Sequence, residues 1–224
     1  MPEQPIPAAT IVLLRERCEQ LEVLLLRRTA SVSFAAGNWV FPGGRIDAAD
    51  YQGAADDDAA AAVAALRELQ EETSLRQSLN DLILFAHWTA PKAIKKRFAT
   101  WFFLAEASSD AEIIVDGGEI EAHCWYRPQR ALEAFSAGQI KLMPPTFVTL
   151  TELAACKNLR EAKAFYQARL QPRVFHPRWI NVEGGTCMLY AGDEGYESQS
   201  VDVTGKKHRL WAMEAGWRYE CDIN

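Results

Sequence analysis

Aliphatic residues first gather at Thr10 to Leu14 and again at Glu22 to Arg27, with the polar stretch Arg15 to Gln20 between them, a pattern that predicts a β-hairpin. Trp39-Val40-Phe41 predicts a short strand stopped by Pro42-Gly43-Gly44. Ala48 to Asp58 is small and acidic and reads as a loop whose last residues, Asp56, Asp57 and Asp58, offer caps and favourable charge to a helix N-terminus. The helix is predicted from about Ala59 to Thr73. Alanine, the best helix former, fills its first half, and Ala62, Val63, Leu66 and Leu69 fall at helical spacing as one apolar stripe.

Leu82 to Trp88, Arg97 to Ala105 and Glu119 to Tyr126 read as strands, with Gly117-Gly118 as a turn. Helices are predicted from about Pro128 to Ala137, Thr146 to Cys156 and Leu159 to Leu170. The tail returns to short strands at Trp179 to Val182, Thr186 to Tyr190, His208 to Met213 and Trp217 to Tyr219. Strands, helix, strands, helices and strands in that order predict an α/β fold, a mixed β-sheet between helices, with a C-terminal α+β extension. The chain has no internal repeat and no low-complexity linker.

The 224 residues suit one domain with an elaborated end, and 49% hydrophobic residues can fill a sizeable core. A net charge of −6 argues against a broad nucleic-acid-binding surface, although it leaves room for a small basic pocket. The five cysteines, Cys18, Cys124, Cys156, Cys187 and Cys221, are odd in number and form no CxxC pair, so free thiols in a reducing compartment are expected. Met1 to Thr10 carries no Lys or Arg and does not read as a signal peptide. No apolar run approaches the ~20 residues a membrane helix needs. The expectation is a cytoplasmic protein without membrane or nucleic-acid partners; a homodimer is compatible with the sequence.

The chemistry concentrates in Arg67-Glu68-Leu69-Gln70-Glu71-Glu72-Thr73-Ser74-Leu75. On a helix Glu68, Glu71 and Glu72 stand at i, i+3 and i+4 and share a face, while Val63, Leu66 and Leu69 take the other side. Three neighbouring carboxylates repel one another, and a hard dication such as Mg²⁺ or Mn²⁺ relieves that repulsion better than zinc. A solvated acidic face would look the same. Arg67 beside the cluster and the Phe41-Pro42-Gly43-Gly44 turn before the helix favour the metal. An arginine can orient carboxylates bidentately, and glycine lets a backbone carbonyl approach a metal or phosphate.

These residues resemble the Nudix box: Gly, five residues, Glu, seven residues, then Arg-Glu-aliphatic-x-Glu-Glu-x-Gly-aliphatic. Gly44 matches the first glycine, Asp50 stands where the family has glutamate, and Arg67, Glu68, Leu69, Glu71, Glu72 and Leu75 match the second half. Sixteen residues, Tyr51 to Leu66, stand where the box has seven, and Ser74 replaces the second glycine. The resemblance implies a Nudix-type α/β/α sandwich spanning 8–157, with the box at 44–75, its insertion at about 51–58, and an extension over 158–224 packed on the same domain. It implies Glu68, Glu71 and Glu72 as metal ligands, the Gly44 carbonyl as a further one, a glutamate as general base, and Arg67 holding the carboxylates.

The split box, Gly37 to Gly44, Arg97-Phe98, Thr100 to Phe103, Met143 to Thr146, and Gly192-Asp193 with Tyr196 are similar to the acyl-coenzyme A diphosphatase branch. That likeness implies a Mg²⁺-dependent diphosphatase acting on coenzyme A or acyl-coenzyme A. ADP-ribose or another dinucleotide-type substrate, and a non-catalytic ligand-sensing domain, remain as alternatives. Arg28, Lys95, Lys96 and Arg97 are the substrate-phosphate candidates, though Lys92 to Arg97 also reads as an exposed basic loop. Glu119 or Glu121 reads either as an extra carboxylate from outside the box or as plain surface. The four histidines are scattered without ligand spacing and read as structural, and Trp101-Phe102-Phe103 reads as core strand. The Gly192-Asp193-Tyr196 turn reads equally as a cover for the site or as a plain turn.

Overall fold

The computed structural model describes residues 4–30, 35–107, 112–115 and 117–223. The first three residues of the stretch read as lacking a signal peptide lie outside it.

The hairpin is longer than predicted. Strand β1 runs Ile6–Arg17 and β2 runs Gln20–Arg28, antiparallel and closed by Cys18 and Glu19 alone, both at positive φ (50° and 58°). The polar residues expected to form the connection instead pair across the strands. Arg15 faces Glu22 in register and binds it at 2.7 Å, with its guanidinium 4.2 Å over the Trp125 ring. Strand β3 is Trp39–Val40. Gly43–Arg45 forms a further strand, β4, lying antiparallel to β1 with Gly44 opposite Ala9. The glycines read as a strand stop thus continue the sheet. A Cβ on Gly43 would lie 2.4 Å from the Ala9 carbonyl oxygen, so only glycine permits that approach.

Helix α1 spans Asp57–Thr73, and Asp56 is its cap, accepting a hydrogen bond from the Ala59 N–H at 2.9 Å. Strands β5 (Ile83–Thr89), β6 (Phe98–Glu106) and β7 (Ile120–Tyr126) follow, then helices α2 (Pro128–Ser136), α3 (Pro144–Ala154) and α4 (Leu159–Gln167). Helix α3 begins at the proline pair rather than after it, because proline at the first positions of a helix gives up no hydrogen bond. A strand unseen in the sequence, β8 (Arg173–Phe175), joins the edge of the main sheet parallel to β5. Strands β9 (Arg178–Val182), β10 (Gly185–Leu189), β11 (His208–Met213) and β12 (Gly216–Cys221) build a second, antiparallel sheet.

The main sheet has the order β3-β2-β1-β6-β5-β8, with β4 also on β1 and β7 also on β2. It is mixed, since β1 and β6 run parallel. It is covered on both sides, so β1 is buried almost continuously and its residues alternate between two cores. Ile11 and Leu13 meet α1, while Val12 and Leu14 meet the cluster that holds Phe147 and Leu150 of α3 and Tyr166 of α4. Phe175, Met188, Tyr190 and Leu210 belong to that second cluster, so the two sheets share one core. The α/β/α architecture agrees with the sequence reading.

The face that α1 buries differs from the expected one. Ala60, Ala61, Ala64, Ala65 and Leu69 pack on the sheet, whereas Ala62, Val63 and Leu66 are half-buried. Small side chains let the helix backbone come close to β1, and that proximity favours the alanine row over the larger residues. Among the described residues no helix is long and apolar enough to cross a membrane, and all five cysteines are free.

Candidate active site

The alanine row decides where the acids go. Ala60, Ala64, Glu68 and Glu72 are successive i+4 positions, so the row that packs on the sheet as alanine ends in two carboxylates. They arrive at β4. Glu72 is only 7% exposed and its Oε2 accepts the Gly43 N–H at 2.9 Å. Glu68 lies so close to Gly44 that a Cβ there would stand 2.3 Å from Oε1. The third acid, Glu71, sits on the outer edge of this row and is largely exposed. Glu68 and Glu72 thus extend the packed face; they do not oppose it, as the sequence reading had them.

Arg67 ties the cluster together. Its Nη1 donates to Glu68 Oε1 at 2.9 Å and to Glu71 Oε2 at 3.0 Å, and its Nη2 donates to the Arg45 carbonyl at 2.9 Å. Its Nε and Nη2 donate to the two oxygens of Asp50, at 3.1 Å and 2.9 Å. Asp50 is buried, at 3% exposure, and also accepts the Asp47 N–H. Despite the sixteen residues between them, the chain returns Asp50 to Arg67. The extra length is taken up by the 51–56 turns and by the turns of α1 ahead of Arg67. Burial pushes the Asp50 carboxyl up, but hydrogen bonds from Arg67 and the Asp47 N–H, with the guanidinium charge, overcome that and hold it below its ordinary value. At Glu68 burial prevails. It raises the carboxyl above its ordinary value, opposed by Arg67 and reinforced by the charges of Glu71 and Asp47.

The helix carrying these groups ends in Ser74 with left-handed backbone (φ 61°, ψ 6°), its N–H bonded to the Gln70 carbonyl at 2.9 Å. The position where glycine is usual therefore needs the conformation glycine provides.

The three glutamates, Arg67, Asp47 and Gly43-Gly44 line a cleft of about 880 Å³. Arg28, Glu119 and Lys96 line it too, and Arg28 pairs with Glu119 at 2.8 Å. Lys95 and Arg97 do not line it; Arg97 Nε instead donates to the Ala90 carbonyl at 3.0 Å, bracing the β5–β6 connection. Glu121 also lies outside and pairs with Arg27. None of the four histidines lines the cleft. The Gly192-to-Tyr196 turn does not line it either. Tyr196 donates its hydroxyl to the His176 carbonyl and receives Arg178 on its own carbonyl, so it pins the segment entering β9. Met143, Pro144 and Pro145, singled out in the sequence, line the cleft, and the sequence reading missed that Pro177, Trp179 and Met188 from the extension line it too. No local pattern signals a wall assembled from segments so far apart.

A hard dication suits the donor set. Carboxylate oxygens of Glu68, Glu71 and Glu72 and the close-approaching Gly44 backbone are oxygen donors, and half-buried Glu68 feels the like charges of Glu71 and Asp47, only partly offset by Arg67, which a cation would relieve. Among the described residues no three His, Cys, Asp or Glu side chains are already gathered into a metal cage. Arg67 donates to both Glu68 and Glu71.

Comparison with known proteins places the chain in a family. A NUDIX domain model matches residues 4–145. The acyl-coenzyme A diphosphatase NUDT19 of Gallus gallus is 33% identical over 96 residues, covering 41% of this chain and 25% of that protein. The chain thus matches about a quarter of that relative's length. Among solved structures, a NUDIX hydrolase from Alicyclobacillus acidocaldarius superposes with a TM-score of 0.65 at 25% identity, over 73% of this chain and 97% of that one. The NUDIX domain of Shewanella oneidensis NrtR, complexed with ADP ribose, shares the fold at a TM-score of 0.51 and 20% identity, over 68% and 87%. With the domain model covering well over half its residues, the chain belongs to the NUDIX family.

Proposed function

We propose that the chain hydrolyses the diphosphate linkage of a nucleoside diphosphate derivative with Mg²⁺ or Mn²⁺, and that its substrate is coenzyme A or an acyl-coenzyme A. The observation that carries this reading is Arg67, fixed by buried Asp50 and donating to Glu68 and Glu71 beside the Gly43-Gly44 strand. The likeness to an acyl-coenzyme A diphosphatase supports the choice of substrate. Glu68, Glu71 and Glu72, with the Gly44 carbonyl, would hold the metal. A bound dication there neutralises charge on phosphoryl oxygens and lowers the pKa of water.

The protein's own residues do the rest. One glutamate accepts a proton as the water oxygen bonds to phosphorus and the bridging P–O bond breaks. Arg67 keeps the carboxylates in place during that change, and the Gly43 N–H fixes Glu72. Arg28 and Lys96 line the cleft where substrate phosphates would bind. Cleavage of coenzyme A at this linkage gives 3′,5′-ADP and a phosphopantetheine species.

The test is a panel of coenzyme A, acyl-coenzyme A, ADP-ribose, NADH and nucleoside triphosphates with Mg²⁺, scored by product analysis. Coenzyme A or its acyl ester should lead, and a lead by ADP-ribose would replace that substrate. Glu72→Gln should abolish turnover while leaving the fold intact; full activity in that variant would remove Glu72 from the metal site.

A further inference from the structure

The cleft is lined by two chemically different sets of residues, and only the apolar set reaches beyond the part of the chain that the family model matches. The acidic set belongs to α1 and β4. The apolar set includes Pro177, Trp179 and Met188, all beyond residue 145. Trp179 and Met188 are register partners on β9 and β10, so their side chains stand together on one face of the second sheet. Met143, Pro144 and Pro145, within the matched part, line the cleft as well. Of these six side chains only the Trp179 indole carries a hydrogen-bonding group, and none carries a charge. Trp179 is 42% exposed, an uncommon placement for so large an apolar group.

The wall is held in position from the main sheet. Strand β8 pairs with β5, and Phe175 stacks on Trp88 at 3.8 Å with the rings 3° from parallel. Only His176 and Pro177 separate β8 from β9, and Tyr196 pins His176 through its hydroxyl at 2.9 Å. So short and braced a connection fixes Trp179 relative to the main sheet, on which α1 with its acidic residues also packs.

We propose that the appended sheet is a specificity element of this hydrolase, in which Trp179, Met188 and Pro177 receive an aliphatic chain borne by the group beyond the diphosphate. This inference rests on the acidic set being the diphosphate site. A nucleobase would need several hydrogen-bonding partners to be told from its analogues, and this wall offers a single donor. Methionine, with its flexible and polarisable side chain, and the rigid apolar rings of proline suit a chain of methylenes.

The test uses ADP esterified on its β-phosphate with methyl, butyl or octyl alcohol, whose hydrolysis yields AMP and the alkyl phosphate. It also uses the matching methylene-bridged analogues, which bind without being cleaved. With Mg²⁺ present, kcat/KM and the affinity for the analogues should rise about fourfold for each methylene that reaches the wall, the factor expected for burying one methylene. Trp179→Ala and Trp179→Gln should flatten that rise to less than twofold per methylene, while Trp179→Phe should keep most of it. The indole is partly exposed, so these variants should fold, and the melting temperature verifies that they do.

Hydrolysis of all three esters at equal kcat/KM would overturn the wall and leave the diphosphatase reading intact. Affinity that climbs with chain length without any turnover would support the wall and sink the diphosphatase reading. Flat affinity without turnover would overturn both. A loss on Trp179→Ala that is the same for methyl and octyl esters, but changes when uracil replaces adenine, would assign Trp179 to the base and overturn the proposal.

Discussion

Replacing Asp50 with alanine removes two of the five hydrogen bonds that Arg67 makes, the pair at 3.1 Å and 2.9 Å, and leaves the bonds to Glu68, Glu71 and the Arg45 carbonyl. Hydrogen bonds between charged groups contribute about 1.5–3 kcal/mol each, and breaking a fully buried pair costs about 3–5 kcal/mol. Asp50 is buried, but the Arg67 side chain is 26% exposed, so water reaches the guanidinium and replaces part of the loss. The expected cost is about 2–3 kcal/mol, a fall of roughly 1 M in the urea midpoint. Arg67 would also be free to turn, and turnover should fall about 10–100-fold, as when the support of a metal site is removed. A double-mutant cycle with Arg67→Ala isolates the pair and should give a coupling of about 1.5–2 kcal/mol. Because Asp50 titrates below its ordinary range, its contribution is present at neutral pH, and the wild-type advantage should shrink as acid protonates it. If the two substitutions add within about 0.5 kcal/mol, the limit for independent sites, Asp50 does not anchor Arg67 and the argument fails.

Gly44→Ala would place a Cβ 2.3 Å from the Glu68 carboxylate, so Glu68 must move; calorimetric titration with Mg²⁺ or Mn²⁺ should show affinity at least tenfold weaker. Ser74→Gly relieves a left-handed residue and should stabilise the protein by about 1 kcal/mol, raising the melting temperature by roughly 2–4 °C. Burial pushes the His208 imidazole down to about 4. Its Nδ1 donates to the Ala191 carbonyl, which leaves Nε2 to accept the Tyr219 hydroxyl, and protonation of Nε2 forces that hydroxyl to turn and accept instead while a charge is placed in a buried site. A depressed histidine stabilises the fold above its unfolded value of about 6.5, and that stability is lost as pH falls from there towards 4, by up to about 3 kcal/mol. His208→Gln should flatten urea midpoints across that window, and an unchanged slope would trace it to other groups.

Much of the site was legible in the sequence because its parts are local. Glutamates at i, i+3 and i+4 share a helix face wherever that helix packs, Asp56 caps it through a neighbouring N–H, and a residue after a helix end is pressed into left-handed backbone. What misled the reading was also physical. Gly43 and Gly44 look like a strand stop, yet they permit a strand where β1 and Glu68 crowd the backbone. Arg15 looks like hairpin loop, yet Glu22 and Trp125 let it be buried in a strand.

By itself the sequence determined the identity of the acids, the order of the helices and of every strand but β4 and β8, and the family resemblance, all set by spacings of a few residues. Tertiary structure alone decided that α1 turns its alanines to the sheet and so sinks Glu72 against the Gly43 N–H, that Asp50 returns to Arg67, and that β8 carries Trp179 to the cleft. Those outcomes depend on packing energies between segments far apart along the chain, which no local pattern records.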